Sequence, residues 1–433
     1  MIETLKLTAK EAVKALRNAG AEKAQSTVTY TVTHEFNVDG GEFSLFRTLF
    51  DKSLRMSAIT GGRRGVVSRN RYDDATIRES AGACLEAAAS AAPDEAWDIA
   101  PLTKNEDFTL GEIKPDLDKL FDRCKELMEG VKTRFPKIIM EQMIVDHREI
   151  IEVNANSNGV LFSTHKGNYF IELMFSGHEG EKSSSFYVSV LTTDTLEKPF
   201  LECGSLATDL GNVEKQIETE GVEGKFEGTM VLMPLCSMEL LGGLLTTFAG
   251  EDGLLTDTSP WKDKLGEQVA DERLTVSLAP LDERIVCGER ITAEGFPAEN
   301  YDLIKNGRLN AFALGLYSAN KLNLPRAKND SESIVIEAGD RPLSEIIASI
   351  DKGILVGRFS GGNPAPNGDF SGVAKNSFLI ENGKIGRALS ETMIGGNFAE
   401  MLFKLRDISK EQINAGLFVL PYLAFDGITI SGK

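Results

Sequence analysis

The chain has 433 residues, 42% hydrophobic and 26% charged, with a net charge of −18 at pH 7. That length exceeds one ordinary core, so two or three domains are expected, and the composition is that of a soluble globular protein. The charge argues against direct nucleic-acid binding, which relies on Lys and Arg to neutralise phosphates. No run approaches 18 apolar residues, so no membrane span is expected. The amino terminus lacks the basic-then-apolar layout of a secretory leader. Five cysteines at 84, 124, 203, 236 and 287 are odd in number and widely spaced. They form neither a disulfide framework nor a CxxC site, and point to a reducing cytoplasm.

In chain order, Thr8-Ala-Lys-Glu11 reads as a capping box opening a helix that Gly20 closes. Strict alternation over 27–33 (TVTYTVT) predicts a half-buried strand. Shorter strands are expected at 43–50, 53–60 and 64–68, punctuated by glycine pairs at 40–41 and 61–62. Residues 73–91 are Ala-rich and helical, and 93–115 read as an irregular acidic connection. From 116, apolar residues at 117, 120, 121, 124, 127, 128 and 131 give an amphipathic helix. An antiparallel meander of short strands (138–145, 150–154, 160–164, 169–176, 185–191) and a helix over 206–217 follow. A strand at 229–233 ends at Pro234, which precedes a helix from Cys236 to about 248. Beyond it the chain is β-rich, with helices near 343–351 and 397–405. Strands and helices mix without strict alternation, so the expected class is α+β. Three modules are expected: 1–100, α+β; 110–221, helix plus meander; and 222–433, β-rich. The first two are read as antiparallel sheet with flanking helices.

The residues that carry chemistry are sparse. All four histidines (His34, His147, His165, His178) precede residue 179. His165 and His178, with Glu172, Glu179 and Glu181 nearby, make a conceivable metal site, but strand geometry separates them and His–carboxylate surface contacts are the plainer reading. Cys287 has no histidine within a hundred residues and reads as a small buried hydrophobe, as do Cys124 and Cys236. Pairs such as Asp282-Glu283 and Glu332 with Glu337 read as solvated faces. The Gly-rich stretch at 361–372 (GGNPAPNGDFSG) lacks the Lys-Ser/Thr ending of a phosphate loop, and Pro364 and Pro366 remove two donors.

That stretch, running into SFLIENG at 377–383 and TMIGGNFAEML at 392–402, resembles the carboxy-terminal signature of the TldD/PmbA family, the so-called modulators of DNA gyrase. The segments 234–250 and 296–308 (FPAENYDLIKNGR) carry the resemblance further. The family contains a zinc-protease type with an HExxxH motif and a late cysteine, and a PmbA (TldE) type without that site. Against this pattern, Gly242 and Gly243 stand where the first His and the Glu would lie, and Thr247 stands at the second His. The tail at 414–423 (NAGLFVLPYL) has no thiol. The resemblance therefore implies a PmbA/TldE-like member with no catalytic residue and no cofactor of its own, zinc belonging to a TldD-like partner subunit in a heterodimer. It also implies a cleft for unfolded peptides, with Asn363, Asp369 and Asn397 as candidate lining. A stand-alone peptidase with an unrecognised site, metal capture by His165 and His178 included, and a homodimeric peptide-binding protein are the alternatives.

Overall fold

The computed structural model describes residues 1–361, 364–390 and 392–432, without the side chains of 244–246. The first half contains α1 (Ile2–Ala19), β1 (Lys23–Asp39), β2 (Glu42–Thr60), β3 (Arg63–Arg69), α2 (Asp74–Ser90), β4 (Asp107–Gly111) and α3 (Leu117–Arg134). It continues with β5 (Ile138–Asn156), β6 (Leu161–Glu179), β7 (Lys182–Ser183), β8 (Tyr187–Thr193) and α4 (Leu206–Glu214). These strands form one sheet in the order β3-β2-β1-β5-β6-β4, with β7 and β8 also paired to β6. Residues 1–100 and 110–221 therefore share a sheet, because β1 pairs antiparallel with β5 from Gln25–Asn156 to Asp39–Gln142.

Several local expectations change. The stretches 43–50 and 53–60 are one strand, and 138–145 and 150–154 are another. Polar residues within these strands are paired instead: Arg47 with Glu35 across β2 and β1 at 2.9 Å, His165 with Glu149 across β6 and β5 at 2.7 Å, and Arg148 with Asp146, two residues along β5, at 2.7 Å. The connection at 93–115 contributes β4, parallel to β6. The capping box at Thr8 is not formed. The helix begins at Ile2, since burying Leu5 extends the apolar stripe upstream, and the Thr8 hydroxyl donates to the Thr4 carbonyl at 3.0 Å. Gly20 does close α1, at φ 112°.

One face of this sheet is apolar. Near one end Val28, Leu54, Met56 and Val153 lie under α1 and α2. Towards the other, Phe36, Val145 and Leu173 lie under α3, whose Leu120, Cys124, Leu127 and Val131 are all buried. Asp116 caps α3, accepting from the Lys119 amide at 3.0 Å. Gly65 lets α2 approach β3 closely: a Cβ there would sit 1.9 Å from the Cys84 carbonyl. The opposite face carries Gln25, Thr27, Thr29, Arg55 and Glu152 and turns toward the second half of the chain.

That half comprises β9 (Lys225–Leu232), α5 (Pro234–Leu244), α6 (Glu251–Leu255), β10 (Val276–Leu278), β11 (Tyr301–Lys305), β12 (Arg308–Leu309), α7 (Leu316–Leu322) and β13 (Ile334–Val335). It continues through α8 (Leu343–Ala348), β14 (Lys352–Val356), β15 (Arg358–Ser360), β16 (Asp369–Lys375), β17 (Ser377–Glu381) and β18 (Lys384–Leu389). It closes with β19 (Thr392–Asn397), α9 (Phe398–Phe403), β20 (Leu405–Asn414) and β21 (Val419–Ser431). The sheet is mixed, in the order β12-β11-β10-β13-β21-β9-β14-β17-β18. β9 is central, antiparallel to β21 and parallel to β14. Met230, Cys236, Phe248, Trp261, Phe398 and Phe425 fill its core, and each large side chain so buried is worth about 1.5–3 kcal/mol. The class is α+β, as expected.

The halves meet at a polar and aromatic seam. Trp97 stacks on Tyr317 at 3.8 Å, and the Arg64 guanidinium lies 4.7 Å from the Trp97 ring. Asp94 takes a hydrogen bond from the Tyr317 hydroxyl at 3.0 Å and pairs with Lys321 at 2.7 Å.

Candidate functional site

Strand β9 delivers the chain into α5, and Pro234 suits a first helical turn because its missing N–H has no intrahelical partner there anyway. Cys236, Leu240 and Leu241 turn into the core. Met238, Glu239 and Gly242, one and four positions apart, face a cleft of about 750 Å³. A Cβ placed on Gly242 would meet nothing within 4 Å, so the wall is open at that position. After Leu244 the helix widens to π turns over Leu245–Ala249, a geometry often found beside functional sites. Gly243 is buried, and Thr247, half-buried in the π turns, does not line the cleft.

The rest of the lining sets carboxylates among apolar side chains such as Leu278, Leu314 and Ile334. Glu251 accepts from the Gly315 amide at 2.6 Å and the Ser318 hydroxyl at 2.7 Å. Glu294 accepts from the Leu316 amide at 2.7 Å, and its second oxygen is buried without a partner among the described residues. Asp330 accepts from the Ala293 amide at 2.8 Å, while its own amide donates to Glu289 at 3.1 Å. Burial raises the pKa of Glu239, Glu294 and Asp330 above the ordinary carboxylate range. Glu289, behind Asp330, is pushed up to about 7 by burial and then by Asp330. The Tyr301 hydroxyl also lines the space and is likewise buried without a partner among the described residues. Arg326 stacks over Phe296 at 3.9 Å and supplies nearby positive charge. Carboxylates so placed can accept hydrogen bonds from peptide amides and attract ammonium or guanidinium groups.

They do not make a zinc centre. Positions 242, 243 and 247 are glycine, glycine and threonine, and offer neither an imidazole nor a carboxylate. Among the described residues no three His, Cys, Asp or Glu side chains gather in a way that could hold an ion. His165 and His178 lie thirteen residues apart on the single strand β6, roughly 40 Å along it, and so cannot share a metal. His165 pairs with Glu149; His178 contacts the Ser176 hydroxyl at 2.8 Å. His147 is fully buried, its Nε2 2.6 Å from the Glu112 carbonyl. Cys287 is partly exposed in another cleft, between the halves, and burial raises its thiol pKa, which disfavours a thiolate nucleophile.

Asp369 and Asn397 are brought together, though away from the acidic cleft. They are direct partners across β16 and β19, with Asn397 Nδ2 donating to Asp369 at 2.9 Å and to the Asn367 carbonyl at 2.9 Å. The Asn397 carbonyl oxygen caps α9, accepting from Ala399 at 3.1 Å. Their visible work is to brace a loop. Asn363 lies outside the described residues. Glu332, read as a solvated face, lines the acidic cleft. Glu251, Glu294 and Asp330 gave no sequence signal, because the start of α6 and two loops far apart in the chain carry them.

Among curated proteins, a metalloprotease TldD homologue of Buchnera aphidicola is 27% identical over 312 residues, 60% of this chain. The chain thus spans about three fifths, 61%, of the length of that relative. Among solved structures, TldE from Thermococcus kodakarensis superposes with a TM-score of 0.82 at 19% identity, covering 98% of this chain and 99% of that one. A Bacteroides thetaiotaomicron protein described as a candidate modulator of DNA gyrase gives 0.85 at 23% identity, covering 99% of each. Both likenesses establish the fold. Residues 225–432 match the family described as PmbA/TldA metallopeptidase C-terminal domain, so this part of the chain is a domain of the PmbA/TldD family.

Proposed function

We propose that this chain is the non-catalytic, PmbA/TldE-like subunit of a TldD/TldE-type metalloprotease that cleaves unfolded or modified peptides in the cytoplasm. The observation that carries the reading is the pair Gly242 and Gly243 on α5, which stand where the family's protease type would place its first imidazole and its carboxylate. Zinc, held by a TldD-like partner, would supply the hydrolytic chemistry. This chain contributes a cleft wall whose carboxylates hold peptide donors, and a site enclosed between subunits admits unfolded segments while excluding folded ones.

The need for a partner has support of its own. Residues 42–53 of β2 pair with β1 on one side, while β3 covers only 54–60 on the other. This free edge carries exposed Phe43, Leu45, Phe46, Leu49 and Phe50, an apolar strand of the kind that pairs with another chain. Among the described residues no helix is long and apolar enough to cross a membrane.

The test is co-expression with an HExxxH-bearing TldD-like subunit, followed by zinc analysis and hydrolysis of an unfolded peptide. The complex is expected to turn over with zinc stoichiometric to the partner, and this chain by itself to bind none. Stoichiometric zinc and turnover in the isolated chain would overturn the proposal in favour of a stand-alone peptidase.

A further inference from the structure

A second pocket, about 460 Å³, lies where the polar face of the first sheet meets the second half of the chain. Ala293 and Glu294 line both this pocket and the acidic cleft, so the two spaces adjoin. Its distinguishing residues are Arg55 of β2 and Arg64 of β3. Ser57, two residues beyond Arg55 and on the same face of β2, accepts from Arg64 Nε at 3.1 Å, which turns the Arg64 guanidinium back toward Arg55. Arg64 is half-buried and Arg55 exposed, and neither has a carboxylate within ion-pair distance among the described residues. Burial, and then the charge of Arg55, lowers the Arg64 pKa, with Glu294 opposing in part. The Trp97 ring, 4.7 Å from the Arg64 guanidinium, eases the repulsion without neutralising it.

The acidic groups of the lining are engaged elsewhere. Asp98 pairs with Lys23 at 2.7 Å, Glu294 takes the Leu316 amide at 2.7 Å, and Glu152 takes the Thr29 hydroxyl and faces Lys166. What the two arginines lack is an anion, and two unpaired cations together stand out in a chain of net charge −18. Guanidinium groups hold carboxylates through paired, charge-assisted hydrogen bonds. The hydroxyls of Thr27 and Ser53 border the same space and can donate to the remaining lone pairs. A phosphate dianion would meet Glu152 and Glu294 with twice the charge, so a carboxylate fits better.

We propose that this pocket seats a peptide carboxylate between Arg55 and Arg64 and so fixes how a peptide lies in the adjoining acidic cleft. The inference rests on the reading of that cleft as a wall that holds peptides. It adds a polarity to it: amides and ammonium groups on the carboxylate side, an anionic group on the arginine side. The carboxylate comes from the peptide's carboxy terminus or from an acidic side chain.

The experiment is titration calorimetry of the full-length chain with acetyl-tetraalanine as free acid and as carboxamide. The acid is expected to bind about tenfold tighter, although the net charge of the protein opposes it. Arg55→Gln changes an exposed residue without an ion pair; it should bring the acid down to the amide while leaving the amide unchanged, and Arg55→Lys should keep part of the preference. A purely structural role for Arg55 would move both affinities together and would overturn the proposal. An amidated peptide with one internal glutamate separates the two sources: binding like the free acid assigns the seat to a side chain, and binding like the plain amide assigns it to the terminus. Equal affinities of acid and amide in the parent overturn the carboxylate seat and leave the peptide-holding wall intact, as does stronger displacement by inorganic phosphate than by acetate. Binding of neither peptide overturns the inference, while the subunit reading still stands or falls on zinc and turnover in the complex.

Discussion

Gly242→Ala tests whether α5 presents an open wall to the acidic cleft. The residue lies inside the helix, where glycine costs about 0.5–1 kcal/mol relative to alanine through the entropy of the unfolded chain. The added methyl meets nothing within 4 Å, so no packing penalty offsets that gain. Net stabilisation of about 0.5–1 kcal/mol follows, and a domain of some two hundred residues converts it to roughly 1–4 °C in Tm. Gly253→Ala, in the neighbouring α6, is the matched control: its Cβ would fall 2.4 Å from the Thr247 carbonyl oxygen, and a loss of about 1–3 kcal/mol is expected. Differential scanning calorimetry of both variants beside the parent gives opposite signs if the geometry is right. A fall in Tm for Gly242→Ala comparable to that of Gly253→Ala would mean that position 242 is packed, and the cleft wall would have to be redrawn.

Asp209 is buried, accepts from the Ser189 and Ser205 hydroxyls at 2.7 Å each, and is pushed by burial from 3.8 to about 6. A carboxyl raised in the folded state loses stability as pH climbs from about 4 to about 6, then levels off. Asp209→Asn should therefore match the parent near pH 4 and exceed it by on the order of 2–3 kcal/mol at pH 7 in urea titrations; an unchanged pH profile would refute the assignment. Trp97→Ala removes the stack on Tyr317 and the Arg64 contact, so calorimetry should resolve the melting of the two halves; a single unshifted transition would count against the seam. Phe46→Lys with Phe50→Glu places charge on the free β2 edge, and sedimentation should show weakened association with the partner subunit, whereas unaltered assembly would exclude that edge.

The helices were legible where an apolar stripe was continuous, as in α3, whose residues at 120, 124, 127 and 131 are all buried. The long strands were not, because Asp146, Arg148 and Glu149 look like a turn until the flanking strands β1 and β6 supply Glu35 and His165 as context. Whether a charged residue ends a strand depends on what stands beside it, and sequence order does not encode that. The site divides in the same way. Gly242 and Glu239 sit on one short segment, α5, and so lie within reach of each other in sequence as in space. The carboxylates at 239, 251, 294 and 330 become neighbours only once α5, α6 and two loops converge. Asp369 and Asn397 were singled out as polar residues of a conspicuous loop, and the structure gives them a bracing role.

The pairing of β9 with β21 bears on biosynthesis. Leu232 lies opposite Leu423, so the strand that launches α5 waits for a neighbour synthesised roughly 190 residues later. Until that segment leaves the ribosome, Met230 and Leu232 lack half their sheet, and the nascent second half must be shielded from aggregation. A stop codon that removes β21 would not trim this domain at its margin; it would take out the strand on which the sheet closes, and quality-control proteases would be the expected fate of the product.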